Sequence, residues 1–324
     1  MARGGSLSLT AGSRWLCAFK GCAGPAETPG PAAYHTGLRD GEPAAHARRM
    51  PKFPRELTMN AAVDPGTQPY VLVSAREGVA TVTMNRGERF NALSLPMIAA
   101  LEAAIDALAD DKDVRAIVLA ANGRGFCAGH DLKEMRAHPD LAWQRELFGV
   151  CGRMMQKLTQ LPQPVIARVH GIATAAGCQL VSMCDLAVAV DTAKFALPGV
   201  NVGVFCSTPA VGVARNIARK RVMEMLLTGE MIDAPTALAW GLVNRVVPEA
   251  GLDAAVKAFT DIIVARSPAV VALGKRAFYQ QVDRELAGAY DSAGEAMACN
   301  LLEPDAAEGI DAFLAKRPPA WQPR

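Results

Sequence analysis

An α/β fold, with strands covered by helices, is what this 324-residue sequence predicts. Three observations point there. From Tyr70 onward, short β-rich or wholly apolar runs alternate with amphipathic helical patterns, as repeated β-α units do. Two glycine-containing loops each follow an apolar strand and lead into a helix. No fixed-period repeat of a solenoid kind runs through the chain. With 51% hydrophobic residues the chain is ample for a sizeable core, and at about 150 residues per domain its length suggests two domains.

The elements follow in order. The first 69 residues hold 8 of the 21 prolines and 9 of the 28 glycines, with no apolar periodicity, so Met1 to about Asn60 reads as disordered. Arg3, Arg14 and Lys20 precede the first acid, Glu27, a faint likeness to an organellar transit peptide. An over-extended reading frame starting at Met59 is the simpler reading. It makes the protein cytoplasmic and bacterial-like, against a mitochondrial matrix location if residues 1–60 are a transit peptide. Tyr70–Ala75 and Val79–Met84 flank Glu77-Gly78 as a hairpin. Ser94 caps a helix whose apolar face is Met97, Ile98, Leu101, Ile105 and Leu108. Ala116–Ala120 is a buried strand, followed by the loop Asn122–His130. A helix over Leu141–Leu161 gathers Leu147, Cys151, Met154 and Leu158 on one face. Val165–His170 is a strand, Gly171–Cys184 a small-residue turn entering a helix, and Leu186–Val190 again a strand. Helices near Thr208–Arg219, Pro235–Trp240 and Asp253–Arg266 precede a helix-rich tail from Pro268 to Lys316.

Composition excludes several functions. With 34 Lys+Arg against 32 Asp+Glu, the formal charge of +2 offers no bulk electrostatic footprint for nucleic acid. No run approaches the roughly 18 uninterrupted apolar residues of a membrane span. The eight cysteines form no CxxC pair and the five histidines no HxxxH, which argues against zinc and thioredoxin-like chemistry and predicts no metal.

Chemistry concentrates in the two loops, Gly123–Glu134 and His170–Gln179. Small residues let a ligand approach the backbone, and free N–H groups at a helix start attract developing negative charge. Two such N–H groups from different strands make an oxyanion hole. On spacing alone, plain strand-to-helix turns, with Asp131 and Glu134 as a capping pair, are the simpler reading. Neither loop carries GxGxxG at a strand end or a following GKS or GKT, so a dinucleotide-dependent dehydrogenase is disfavoured.

Phe126-Cys-Ala-Gly-His-Asp-Leu-Lys-Glu-Met135 resembles the first signature of the crotonase, or enoyl-CoA hydratase/isomerase, superfamily. Asn85–Leu93, Pro164–Asp185, Gly229–Pro248 and the tail Glu308–Pro318 are similar to further family blocks in the same order, and Pro198–Pro209 resembles one particular branch. The likeness spans about Val71 to Trp321. It implies a ClpP-like spiral of ββα units over residues 70–262 and a C-terminal helical trimerisation region over 263–324. Homotrimers or dimers of trimers that bind acyl-CoA thioesters are implied with it. Carried over by position, the oxyanion donors are the backbone N–H groups of His130 and Ala176, the latter a glycine in most relatives. The same matching assigns Ala128, His130, Asp131, Leu132 and Lys133 to the CoA, with Arg89 as a second phosphate contact. Phe313 and Lys316 match tail residues that reach a neighbouring subunit's CoA.

The resemblance also exposes a gap. Hydration of an enoyl thioester uses two carboxylates, and positioned proton transfer of that kind is worth about 10²–10⁴-fold. Here Gln179 and Gly199 stand at those positions, and neither exchanges a proton near neutral pH. Cys206 and Ser207 lie on a loop where some relatives place a nucleophile or acid, and the His130 side chain sits beside the oxyanion position. A buried thiol is the plainer reading of Cys206 and a helix N-cap that of Ser207. His170 and Asp185 read as structural. The expected protein is an acyl-CoA-binding enzyme of fatty-acid metabolism with non-standard acid/base groups. A catalytically inert acyl-CoA binder, or a decarboxylating or isomerising relative, is the alternative.

Overall fold

The computed structural model of the chain describes residues 68–322; the extension expected to be disordered, and the transit-peptide reading with it, lie outside them. β1 (Val71–Arg76) and β2 (Val79–Met84) form the hairpin. Glu77 (φ 53°) and Gly78 (φ 80°) both take the left-handed conformation that a tight two-residue turn between twisted strands requires. Ser94 accepts the N–H of Met97 and starts α1 (Leu95–Ala109), which buries all five residues of its expected face. β3 (Ala116–Ala121) is buried at every position because it lies between parallel neighbours, β2 and later β5, with helices over the sheet.

β4 (Gly125–Cys127), α2 (Leu132–Ala137), α3 (Leu141–Gln160), β5 (Val165–Val169), β6 (Ile172–Thr174), α4 (Ala176–Met183), β7 (Leu186–Val190) and β8 (Lys194–Ala196) come next. A 3-10 turn at Pro198–Val202 leads to α5 (Ser207–Val213) and α6 (Arg219–Thr228). The chain continues as β9 (Ile232–Asp233), α7 (Ala234–Trp240), β10 (Arg245–Val247), α8 (Leu252–Val264), α9 (Pro268–Gln281), α10 (Leu286–Leu301) and α11 (Pro304–Leu314).

Two sheets result. The larger runs β1-β2-β3-β5-β7-β10, parallel except for the hairpin. The smaller runs β4-β6-β8-β9, parallel except for β9. This second sheet differs from the expectation, in which β4 and β6 fall inside loops and β8 and β9 are absent. Strands of two or three residues are too short to show a period of two. The helix expected over Thr208–Arg219 is also shorter: α5 ends at Val213, and a separate helix, α6, begins only at Arg219. Asn216 donates from Nδ2 to the carbonyls of Gly212 and Ser182, which ends α5 before α6 begins.

The C-terminal helices are tied to the core by a buried cluster. Lys275 of α9 donates to the carbonyls of Leu158 and Gln163 and, at 2.6 Å, to Asp185. Tyr279 donates to the other Asp185 oxygen at 2.9 Å, and Asp185 also accepts the N–H of Val165. Asp185 therefore joins α9 to the first residue of β5. α8 runs through the boundary expected at 262–263 and ends at Val264.

Candidate active site

The site is built where two chain segments cross. Asn91, wholly buried and at φ 51°, donates to the carbonyls of Asn122, Gly125 and Phe126 while accepting the N–H of Arg86. The N–H of Ala128 bonds the Phe90 carbonyl, and the N–H of Leu93 bonds that of Gly129 at 2.8 Å. The strand that leaves β4 is thus stapled along the 90–93 segment. Gly129 (φ 91°) then turns the chain toward α4. A Cβ there would lie 2.8 Å from the Ala175 methyl and 3.1 Å from the Ala176 nitrogen. Only glycine permits that approach, and it brings the Gly129 backbone against the first N–H of α4.

Ala175 sits at φ 49°, ψ −120°, a conformation that L-residues with a side chain rarely adopt. The strain aims the start of α4, where Ala176 is fully buried and its N–H has no intrahelical partner. Asp131 caps α2 by accepting the N–H groups of Lys133 and Glu134. Glu134 does not close the reciprocal pair expected of it. Its carboxylate reaches across to the N–H of Leu95, at the start of α1, and fastens the two helices together.

Alternate residues of the 128–134 segment face two cavities. One, of about 410 Å³, receives Ala128, His130 and Leu132 together with Ala176, Gly199, Cys206 and Ser207. Its remaining wall is largely apolar: Met135, Phe148, Val202, Val204 and Phe205, with Asn201 and Thr208 as polar exceptions. Among the described residues no Asp, Glu, Lys or Arg lines it. The other, of about 460 Å³, receives Asp131, Lys133 and Glu134 together with Arg86, Glu88 and Arg89. Arg86 is occupied, lying over the Tyr70 ring at 3.9 Å and donating to the carbonyls of Pro69 and Asn85. Arg89 and Lys133 are exposed cations beside that cavity. A larger cleft of about 690 Å³ between β1–β3 and α8 receives none of the sequence-predicted residues.

The positions expected to hold glutamates behave differently. Gln179 is buried on α4, lines neither of these two cavities, and its Oε1 has no hydrogen-bond partner among the described residues. Gly199 lines the apolar cavity, but a Cβ on it would meet the Val204 carbonyl at 2.3 Å and the Cys206 sulfur at 2.8 Å. The 200–206 segment has closed over the space that a side chain would use. Cys206 is buried and accepts the Gly199 N–H at 3.3 Å; burial pushes its thiol up, away from the thiolate. Ser207 is not the N-cap expected. The Ala210 N–H bonds the Cys206 carbonyl, so Cys206 takes the cap position and Ser207 becomes the first helical residue. Its hydroxyl donates to Phe205.

His130 places Nδ1 3.1 Å from the Leu93 carbonyl and stands edge-to-face to Phe148, with ring centroids 5.4 Å apart. Burial holds its imidazole below the usual value, opposed only in part by the Leu93 bond. His170 lies elsewhere, with Nε2 2.8 Å from the Gly123 carbonyl. Phe313 and Lys316, near the end of α11, line neither cavity of their own chain and are exposed. The sequence reading missed Asn91, Asn201, Phe148 and the Val202–Phe205 wall.

The model of the family described as enoyl-CoA hydratase/isomerase matches residues 74–324. The chain belongs to that family. Its two parallel-stranded sheets and helical tail are the crotonase fold of the solved relatives. An enoyl-CoA hydratase structure from Mycobacterium smegmatis is 54% identical with a TM-score of 0.77, covering 78% of this chain and 99% of that one. The human enoyl coenzyme A hydratase domain-containing protein 3 structure is 44% identical with a TM-score of 0.76, covering 78% and 100%. The mitochondrial protein of that name from Xenopus laevis is 46% identical over 253 residues, which are 78% of this chain and 86% of that protein. Within the hydratase/isomerase family the chain therefore resembles that branch. Among the described residues no helix is long and apolar enough to cross a membrane.

Proposed function

We propose that the chain binds an acyl-CoA thioester and stabilises its enolate, with the thioester oxygen held by the N–H groups of His130 and Ala176. The observation that carries this reading is the Gly129 crossing, where the residue before His130 packs closely on Ala176 and both His130 and Ala176 line one apolar cavity. Each such donor supplies roughly 3–4 kcal/mol of transition-state stabilisation. The apolar cavity suits the acyl chain, and Arg89 and Lys133 beside the neighbouring cavity suit the phosphates of CoA. Phe313 and Lys316 suit a role at a neighbouring subunit's CoA in a homotrimer or dimer of trimers.

Two-glutamate hydration is disfavoured because Gln179 does not ionise and Gly199 leaves no room for a carboxylate. That observation favours, as a second reading, an acyl-CoA-binding protein without turnover. Relatives named as mitochondrial support the mitochondrial location over the cytoplasmic one. Crotonyl-CoA hydration by the purified protein, run beside calorimetric titration with CoA and butyryl-CoA, tests the reading. Micromolar binding with hydration no faster than background is the expected result; no affinity for CoA or its thioesters sinks both readings.

A further inference from the structure

We infer that the imidazole of His130 is the proton-transfer group of the acyl cavity, taking the α-proton of a bound acyl thioester at Nε2. This rests on the acyl-CoA reading above. His130 lines the cavity, and its Nε2 is buried with no hydrogen-bond partner among the described residues. An unpartnered buried polar atom costs about 1–3 kcal/mol, so its retention in a residue that lines a cavity calls for a functional account. The other ring nitrogen settles the proton. Nδ1 is 3.1 Å from the Leu93 carbonyl, which only accepts, so Nδ1 carries the hydrogen and Nε2 presents a bare lone pair.

The surroundings keep the ring neutral. α2 presents Leu132 and Met135, α3 Phe148 and α4 Ala176, none of them ionisable. The 198–209 segment presents Cys206, whose thiol burial keeps protonated, and the hydroxyl-bearing Ser207. Asp131 is turned to the N–H groups of α2, Glu134 to that of Leu95, and Lys133 faces the neighbouring cavity. Burial lowers the imidazole's affinity for a proton, so it is a free base at neutral pH.

The step balances without a co-reactant. Nε2 takes the α-proton and the C–H electron pair becomes the C=C bond of the enolate. The carbonyl π pair moves to the oxygen facing the N–H groups of His130 and Ala176. The imidazolium then returns a proton to the α-carbon, or to the γ-carbon when the enolate is conjugated with a further double bond. The substrate class is an apolar acyl thioester undergoing α-proton exchange or double-bond migration, rather than one that adds water.

The test is α-deuteration of butyryl-CoA in D₂O, read by mass spectrometry, for the full chain and for His130→Asn. Asparagine keeps a group near Nδ1 for Leu93 and removes Nε2. We expect exchange to fall at least about 100-fold in His130→Asn, with the calorimetric Kd for CoA within about threefold of the parent. In the parent, the exchange rate rises with pH and levels off below the ordinary imidazole value. Exchange in His130→Asn within about threefold of the parent overturns the inference, as does a parent that binds butyryl-CoA without exchanging it. Failure of the parent to bind CoA or butyryl-CoA overturns the acyl-CoA reading itself.

Discussion

At the scale of single residues, the site holds strain and closed space in equal measure. Ala175 is kept at φ 49°, ψ −120° so that α4 starts beside Gly129. Strain of that kind costs about 1–3 kcal/mol, against roughly 0.5–1 kcal/mol for the extra freedom of an unfolded glycine. Ala175→Gly is therefore expected to raise unfolding stability by about 1 kcal/mol in urea titration. Gly199→Glu is expected to cost about 2 kcal/mol by overpacking against the Val204 carbonyl. It should not bring crotonyl-CoA hydration, because no room exists for the carboxylate to reach the cavity. His130 adds a pH signature. Burial holds its folded-state pKa below the ordinary imidazole value of 6.5, so its contribution is complete above about pH 6.5. It is lost as pH falls through the lower folded value, because the unfolded chain takes the proton first. His130→Asn is expected to flatten that part of the stability-against-pH curve. The two loops stand out by residue type and order, and the lack of a carboxylate at 179 and 199 is visible once the family resemblance aligns those positions. Asn91 and the Val202–Phe205 wall were not legible, since their importance comes from carbonyls and a cavity brought together by segments distant in sequence.

Among the elements, the long ones could be read from their sequence and the short ones could not. α1 and α3 bury the faces that their 3.6-residue periods indicated, and β3 and β7 stand out as apolar runs. The second sheet escaped because three of its strands have three residues and the fourth has two. That sheet nonetheless matters for the site, since β4 delivers Ala128–His130 and β6 delivers Ala175 and Ala176. The break between α5 and α6 depends on Asn216 reaching Ser182, a contact across 34 residues that no local pattern reveals. Asp185 was read as structural, and it is the acceptor of the Lys275–Tyr279 cluster that anchors α9. The side chains of Lys275 and Asp185 are only 6% and 15% exposed. Removing one partner leaves the other charge buried, so Lys275→Met is expected to destabilise the fold by about 3 kcal/mol in chemical denaturation.

For the whole molecule, the C-terminal helices expose more apolar surface than isolated surface residues explain. Leu286, Tyr290, Met297, Leu302, Phe313 and Leu314 are each more than 60% exposed along α10 and α11 and in the turn between them. Large exposed apolar patches mark interaction surfaces. A second and third copy covering α10 and α11 is the proposed occupant, and light scattering after gel filtration is expected to give a mass that is a multiple of three chains. Met297→Asp should shift it toward the 34.2 kDa monomer. The molecule as proposed has two cavities beside the 128–134 segment, one apolar and one lined by charged residues of both signs, and backbone donors at their junction. The most direct test is a crystal structure with butyryl-CoA bound. The account predicts the thioester oxygen within about 3 Å of the nitrogens of both His130 and Ala176, with the acyl chain against Phe148 and Val204. A thioester oxygen bonded to neither nitrogen would contradict it.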